Sequence, residues 1–249
     1  MKGGAGNHPS YASSSASNYP SSSSPHPNHY VMDNINEHNE QQICSAVLSL
    51  LDDASNDIQS VAVKTLGELI KIVNEQQTIE IANRLCVFVL DKDEKEIRDV
   101  YTIGLRTLIK TVPPRMGDSV SDILVGRMID AIRLMVVSQV DDSDMLCCIL
   151  DVLTDLITKF GSNSRAIQLR QSDILNATLN LSLSTKHRDE VKKRAGTVIG
   201  CLAVVISDDL LFHLAQTLLN YIGGGGESGK VDHWILKHAF KLCAQSVGK

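Results

Sequence analysis

The sequence predicts an all-α protein of the HEAT-type α-solenoid class, and three observations carry that expectation. First, the stretch Asp57–Val73, DIQSVAVKTLGELIKIV, returns 39 residues later at Glu96–Val112 as EIRDVYTIGLRTLIKTV. Ile58 falls on Ile97, Val61 on Val100, Leu66 on Leu105, Leu69 on Leu108, Ile70 on Ile109 and Val73 on Val112. A spacing of 3 and 4 is one face of a helix, and its recurrence marks a repeated supersecondary unit. Second, the helix–turn–helix pattern continues along the chain. Taking Ile70, Ile109, Ile157, Ala203 and Ala244 as equivalent gives offsets of 39, 48, 46 and 41, and two helices in roughly 40 to 47 residues is the period of HEAT and related solenoids. Third, no segment alternates with the period of 2 that a half-buried strand requires.

Taken in order, residues 1–36 read as a disordered tail. The first 30 residues hold nine serines and four of the six prolines, with Lys2 their only charged side chain. So little aliphatic surface cannot offset the entropy of ordering. Residues 37–249 read as a solenoid of about five helix pairs. The first helices are expected near Glu40–Leu51, Gln77–Leu90, Ser121–Ser138, Ser172–Ser184 and Asp209–Ile222. Their partners are expected near Asp57–Val73, Glu96–Val112, Asp144–Phe160, Glu190–Ile206 and Val231–Val247. Acidic residues precede the second helices, with Asp52 and Asp53, then Asp91, Asp93 and Glu94, then Asp141, Asp142 and Asp144. At a helix start they satisfy free N–H groups and meet the positive end of the dipole. Pro113–Pro114 marks the exit of the second pair. Neither end resembles a polar cap: Ile43, Val47, Leu48 and Leu51 stand at one side, Ile235, Phe240 and Leu242 at the other. A stack with apolar ends is expected to continue or to dock on something.

Composition narrows the function. With 43% hydrophobic but only 4% aromatic residues, the core must be built from Leu, Ile, Val and Ala. A net charge of −5 argues against a phosphate-backbone binder, so no nucleic acid is expected as partner. No apolar run reaches the roughly 20 residues of a membrane span, and no signal or transit peptide is present, so no membrane is expected and the chain reads as cytoplasmic and/or nuclear. The six cysteines, Cys44, Cys86, Cys147, Cys148, Cys201 and Cys243, lie within helical patterns and form no CxxC pair. They read as small buried hydrophobes rather than metal or redox groups.

No enzyme is expected, and catalytic, cofactor and metal residues are all expected to be none. Gly224–Lys230, GGGESGK, fits a phosphate-binding loop, but the hydroxyl that would hold the metal is replaced by Val231. Only 19 residues follow Lys230, too few for the sheet such a site needs, so the segment reads as a glycine linker. His187, His213, His233 and His238 are scattered. Asn176 and Asn180 match the glycosylation pattern only by coincidence, inside a helix. The charges off the apolar stripe of the second helices are more informative. These are Lys64, Glu68 and Lys71, then Arg98, Asp99, Arg106 and Lys110, then Lys192 and Lys193. Second helices line the concave side of such a stack, so these residues are the candidate partner-binding row; a plain solvated face is the alternative.

Three segments in order, LLDDASNDIQSVAVKTLGELI, LDKDEKEIRDVYTIGLRTLIKTVPP and EVKKRAGTVIGCLAVVISDDLL, resemble the N-terminal HEAT repeats of the cullin-associated NEDD8-dissociated protein family. The resemblance covers Glu40 to about Ile222. It implies a non-enzymatic cullin-binding module that regulates assembly or receptor exchange of cullin–RING ubiquitin ligases of the SCF type. The implied partner is the cullin–RING core, meaning the cullin C-terminal region and its RING subunit. Family members are several-fold longer, so a second chain supplying the distal repeats is a further expectation. A general solenoid scaffold, of the transport-receptor or phosphatase-scaffold kind, is the alternative reading.

Overall fold

The computed structural model describes residues 27–91 and 95–223, with side chains described over 38–91 and 95–220. The chain divides into two units, residues 1–38 and 39–249. The described part of the first is the opening of helix α1 (Pro27–Ser49); the rest of the description concerns the second. After α1 come α2 (Asn56–Leu69), α3 (Glu75–Asp91), α4 (Lys95–Thr111), α5 (Gly117–Ser138) and α6 (Ser143–Phe160). These are followed by α7 (Arg165–Leu169), α8 (Gln171–Leu183), α9 (Asp189–Ala203) and α10 (Asp208–Gly223). Among the described residues there is no strand, and the all-α solenoid read from the sequence is the fold observed.

The second helices of successive pairs pack on one another in the order α2, α4, α6, α9, while the first helices α3, α5 and α8 form a parallel layer. The equivalent positions chosen from periodicity, Ile70, Ile109, Ile157 and Ala203, are all buried between these layers. Leu66, Leu105, Leu108, Leu153 and Leu156 surround them in one continuous core. Phe88 of α3 stacks on Tyr101 of α4, with ring centroids 4.5 Å apart.

Helix starts follow the acidic turns. Asp142 caps α6, its carboxylate accepting from Met145 N at 2.8 Å. Asp53 accepts from Ser55 N at 2.8 Å and orders the entry to α2. Pro113 precedes a single 3₁₀ turn, Pro114–Met116, that redirects the chain into α5.

Some expectations are corrected. Helix α1 begins at Pro27 rather than near Glu40. Proline is suited to a helix's first turn, and from Asn28 until Gly67 no further Pro or Gly interrupts the chain. Helix α7 was not expected. It forms because the Asp118 carboxylate of α5 accepts from both Ser164 Oγ (2.8 Å) and Ala166 N (2.9 Å), tying a short turn onto α5. Of the six stripe residues in Asp57–Val73, Leu66, Ile70 and Val73 are buried and Leu69 half-buried, but Ile58 and Val61 are exposed. Of the four apolar residues noted at the start of the stack, Val47, Leu48 and Leu51 are covered and Ile43 is open. The expected helix Val231–Val247, the segment Gly224–Lys230, Cys243, His233, His238 and residues 1–26 lie outside the described residues.

Candidate partner-binding face

Along the α2–α4–α6–α9 row most of the candidate charges, Lys64, Glu68, Lys71, Asp99, Lys110 and Lys193, are exposed to solvent. Lys64 of α2 is exposed and lines a groove of about 410 Å³ together with Gln59, Val63, Val100 and Ile103. The groove lies between α2 and α4, with Val63 and Val100 in its lining. Glu68 and Lys71 are both exposed and pair with each other at 2.6 Å. Asp99 and Lys193 are exposed on α4 and α9, and Cys148 of α6 points its thiol toward the Asp99 carboxylate at 3.8 Å.

Arg106 does more than face solvent. Its Nε donates to Asp155 at 2.6 Å and its Nη1 to Asp151 at 3.4 Å, both across the junction to α6. Asp151 is also held by Arg194 of α9, and Arg194 pairs in turn with Glu190 at 2.8 Å. Lys110 stands 3.9 Å from Asp155. The result is a ladder of alternating sign, Lys110 and Arg106, Asp155 and Asp151, Arg194 and Glu190, crossing three helices. Its Asp155 hydrogen bond holds the Arg106 guanidinium still more firmly in its charged form. Lys95 at the start of α4 is likewise kept charged by its bond to Asp144.

Two candidates change character. Arg98 is not on the outer face: it is 3% exposed, and its Nη1 meets the Asp142 carboxylate at 3.0 Å. A guanidinium on a long stem can reach back across the α4–α6 junction, and the residue that caps α6 thereby also neutralises a buried charge. Lys192 is mostly covered and pairs with Asp189 at 3.6 Å. Conversely, Asp151, Asp155 and Arg194 belong to the face and were not singled out from the sequence. Aligning the second helices across the 48-residue offset would have set Asp151 and Asp155 at the positions of Ile103 and Thr107, on either side of Arg106.

Lys159 was not anticipated either. Its Nζ donates to the carbonyls of Ile109, Lys110 and Val112 at 2.8, 2.7 and 2.7 Å, so a cation from α6 closes the C-terminal end of α4. Burial pulls its ammonium pKa below the ordinary lysine range.

The rest of the described surface offers little chemistry. No group of three His, Cys, Asp or Glu among the described residues could hold a metal ion. Cys44, Cys86, Cys147 and Cys148 are buried thiols and Cys201 is half-buried. Burial pushes Cys86 up to about 12 and Cys147 to about 11, which leaves them protonated at neutral pH. Among the described residues, no helix is long and apolar enough to cross a membrane.

Fold and face together define a helical-repeat protein of the solenoid class, with an outer face of mixed charge and no described catalytic centre. Comparison with known proteins places it further. The chain is 31% identical over 190 residues to cullin-associated NEDD8-dissociated protein 2 of Rattus norvegicus, covering 76% of this chain and 14% of that protein. It is 33% identical over 204 residues to cullin-associated NEDD8-dissociated protein 1 of Arabidopsis thaliana, covering 82% and 16%. Against the Drosophila melanogaster protein of that name it is 30% identical over 193 residues, covering 75% and 14%. Through this segment the chain belongs with the cullin-associated NEDD8-dissociated proteins, as the three sequence motifs indicated. The match spans about a seventh of the length of these relatives. No family model matches the chain. Among solved structures, an engineered protein aligns with a TM-score of 0.45 at 15% identity, over 83% of this chain and 48% of that one.

Proposed function

We propose that this protein is a non-enzymatic docking module for an unmodified cullin–RING core, engaging it through the outer face of the α2–α4–α6–α9 row. The observation that carries the reading is the match, over three quarters or more of the chain, to relatives named for cullin association. The face fits the role. It offers an open groove beside Lys64, exposed Lys110 and Lys193, and a rigid charge ladder behind them. Charged groups at a rim steer encounter and set register more than they add affinity. Because the match spans so little of the relatives' length, docking is assigned to this chain, and receptor exchange is assigned to an assembly in which a second chain brings distal repeats. The proposed setting is the cytoplasm or nucleus, where SCF-type ligases are assembled.

The deciding measurement is a titration of the purified chain against an unmodified cullin–RING pair. Binding at micromolar concentration or tighter is expected, weakened at least tenfold by the double reversal Lys64→Glu and Lys110→Glu, with circular dichroism unchanged. A well-folded chain that does not bind at that concentration would sink the reading in favour of a general scaffold.

A further inference from the structure

A second groove, of about 370 Å³, lies between the turn that joins α5 to α6 and the turn that joins α8 to α9. The repeats on both sides of it are described, so it is formed within the stack and not at an end of it. Its apolar floor is Met135, Val136 and Val140, the two valines being 48% and 54% exposed. Four polar side chains line the same space, those of Gln139, Asn180, Lys186 and His187. None of the four has a side-chain partner among the described residues. The Nδ1 atom of His187 is moreover buried without a hydrogen bond, a state that costs stability unless a ligand completes it.

Gln139 gives an independent sign. It is the one non-glycine residue at positive φ among the described residues, at 54°. There it closes α5, with Val140 N donating to the Met135 carbonyl at 3.1 Å, in the position where glycine ordinarily stands because it has no Cβ to clash. A glutamine in that conformation is strained, and strain of this kind is held where the side chain has a use. Charge gives a third. Lys186 and the adjacent Arg188 are exposed and have no ion-pair partner among the described residues. Asp141, the one acid in the lining, accepts from Ser143 Oγ at 2.9 Å at the start of α6. The groove is left with an excess of positive charge.

A side-chain amide carries both a donor and an acceptor, so it can pair with a peptide unit. Two such amides above an apolar floor, with a cation at one side, are complementary to an extended chain. We propose that this groove is a peptide-recognition site, taking an extended segment of a partner in which an aliphatic residue stands directly beside an acidic one. The aliphatic side chain covers Met135, Val136 and Val140, the Gln139 and Asn180 amides pair with the backbone, and Lys186 takes the carboxylate. Segments of this chain fit poorly. Residues 1–26 hold no acid, and in residues 224–249 one aliphatic residue adjoins an acid, Val231–Asp232. Lys230 precedes that pair and would bring a further cation against Lys186 and Arg188.

Titrating the full chain with the peptide acetyl-Ser-Asp-Leu-Asp-Ser-amide, followed by NMR of methionine and valine methyl groups, tests the proposal. Saturable shifts are expected at Met135, Val136 and Val140, with half-saturation at about 1 mM or below. Lys186→Glu should weaken binding at least about tenfold, and Asn180→Ala at least about threefold. Gln139→Gly should also weaken it at least about threefold while the melting temperature holds or rises, because glycine relieves the left-handed residue. The same peptide with serine in place of leucine should leave these methyls unmoved. Absent shifts, or shifts that the variants and the serine peptide leave unchanged, would overturn the proposal. So would tighter binding once Val231→Ser and Asp232→Asn are introduced, since the chain's own segment would then be the occupant. None of these residues lies on the face assigned to the cullin–RING core, so affinity for that core should be the same in every variant, which keeps the two readings separable.

Discussion

The α2–α4 junction is closed by small residues, whereas the α4–α6 junction is closed by charge. At the first, Gly67 lets α2 lie directly against Thr107 and Thr111, and Gly104 leaves room for Leu66 and Leu85. At the second, Arg98 reaches Asp142, Arg106 reaches Asp155 and Asp151, and Lys159 gathers three carbonyls from the end of α4. A HEAT stack needs only that each apolar stripe be covered, and these junctions meet that need by different means. Close backbone approach gains dispersion contact and leaves a groove at the rim. Paired charges hold register and angle, at a desolvation cost that complete pairing must offset.

The largest effect is expected where both junctions share one core. Leu66→Asp puts an unpaired carboxylate among Leu51, Leu85 and Gly104, and should abolish the cooperative thermal transition seen by circular dichroism. A variant that still unfolds cooperatively near the wild-type temperature would mean that α2 is not integral to the stack.

Next comes Arg98→Ala, which removes a long buried side chain together with its charged hydrogen bond to Asp142 and should cost about 2–5 kcal/mol in urea unfolding, through lost packing and a lost charged hydrogen bond. The isosteric Arg98→Met with Asp142→Asn should recover part of that loss. If it recovers none, the pair is not what holds α4 on α6. Lys159→Met should cost about 1–3 kcal/mol through lost charged hydrogen bonds, read in the same unfolding experiment.

The glycine junction is tested by contrast. A Cβ at Gly104 would find ordinary van der Waals contact, its nearest neighbour 3.6 Å away, so Gly104→Ala should stabilise by up to about 1 kcal/mol through helix propensity. At Gly67 it would come within 3.1 Å of the Thr107 methyl, so Gly67→Ala should lose most or all of that gain. Equal effects at the two positions would show that the helices are not held at this separation.

The smallest effect concerns pH. The Ala166 amide, aided by the Ser164 hydroxyl, holds the Asp118 carboxyl below its ordinary range. A depressed folded pKa contributes stability that is present above the unfolded value of about 3.9 and is lost as pH falls through the folded value. Asp118→Asn should therefore narrow the difference in melting temperature between pH 5 and pH 2.5, with α7 as the segment that loosens first.

Much of this was legible in the chain. The 39-residue return of one apolar pattern was enough to identify the repeat, because a helix of 3.6 residues per turn must write its buried face into the sequence at that period. The exposure of Lys64, Glu68, Lys71, Asp99 and Lys110 was legible too, since periodicity put them off the apolar stripe. Arg98 was misread because its register position says nothing of how far a long side chain reaches; Asp142, 44 residues on, meets it inside the α4–α6 junction. Ile58 and Val61 were misread for a related reason. Their equivalents in α4 are covered by the preceding repeat, and α2 has none described in front of it.

By itself, then, the sequence determined the described helices other than α7, the pairing of those from α2 to α9, most of the residues of their common core and the family to which the segment belongs. All of these depend on local periodicity and on motifs read within one repeat. The tertiary structure alone decided which face of each helix meets a neighbour. It thereby decided that Arg106, Asp155, Asp151 and Arg194 form one ladder, that Lys159 closes a helix other than its own, and that Gln139 and Asn180 line one groove. Those outcomes join residues 40 to 50 positions apart, and such contacts are set by the angle and spacing at which whole helices stack.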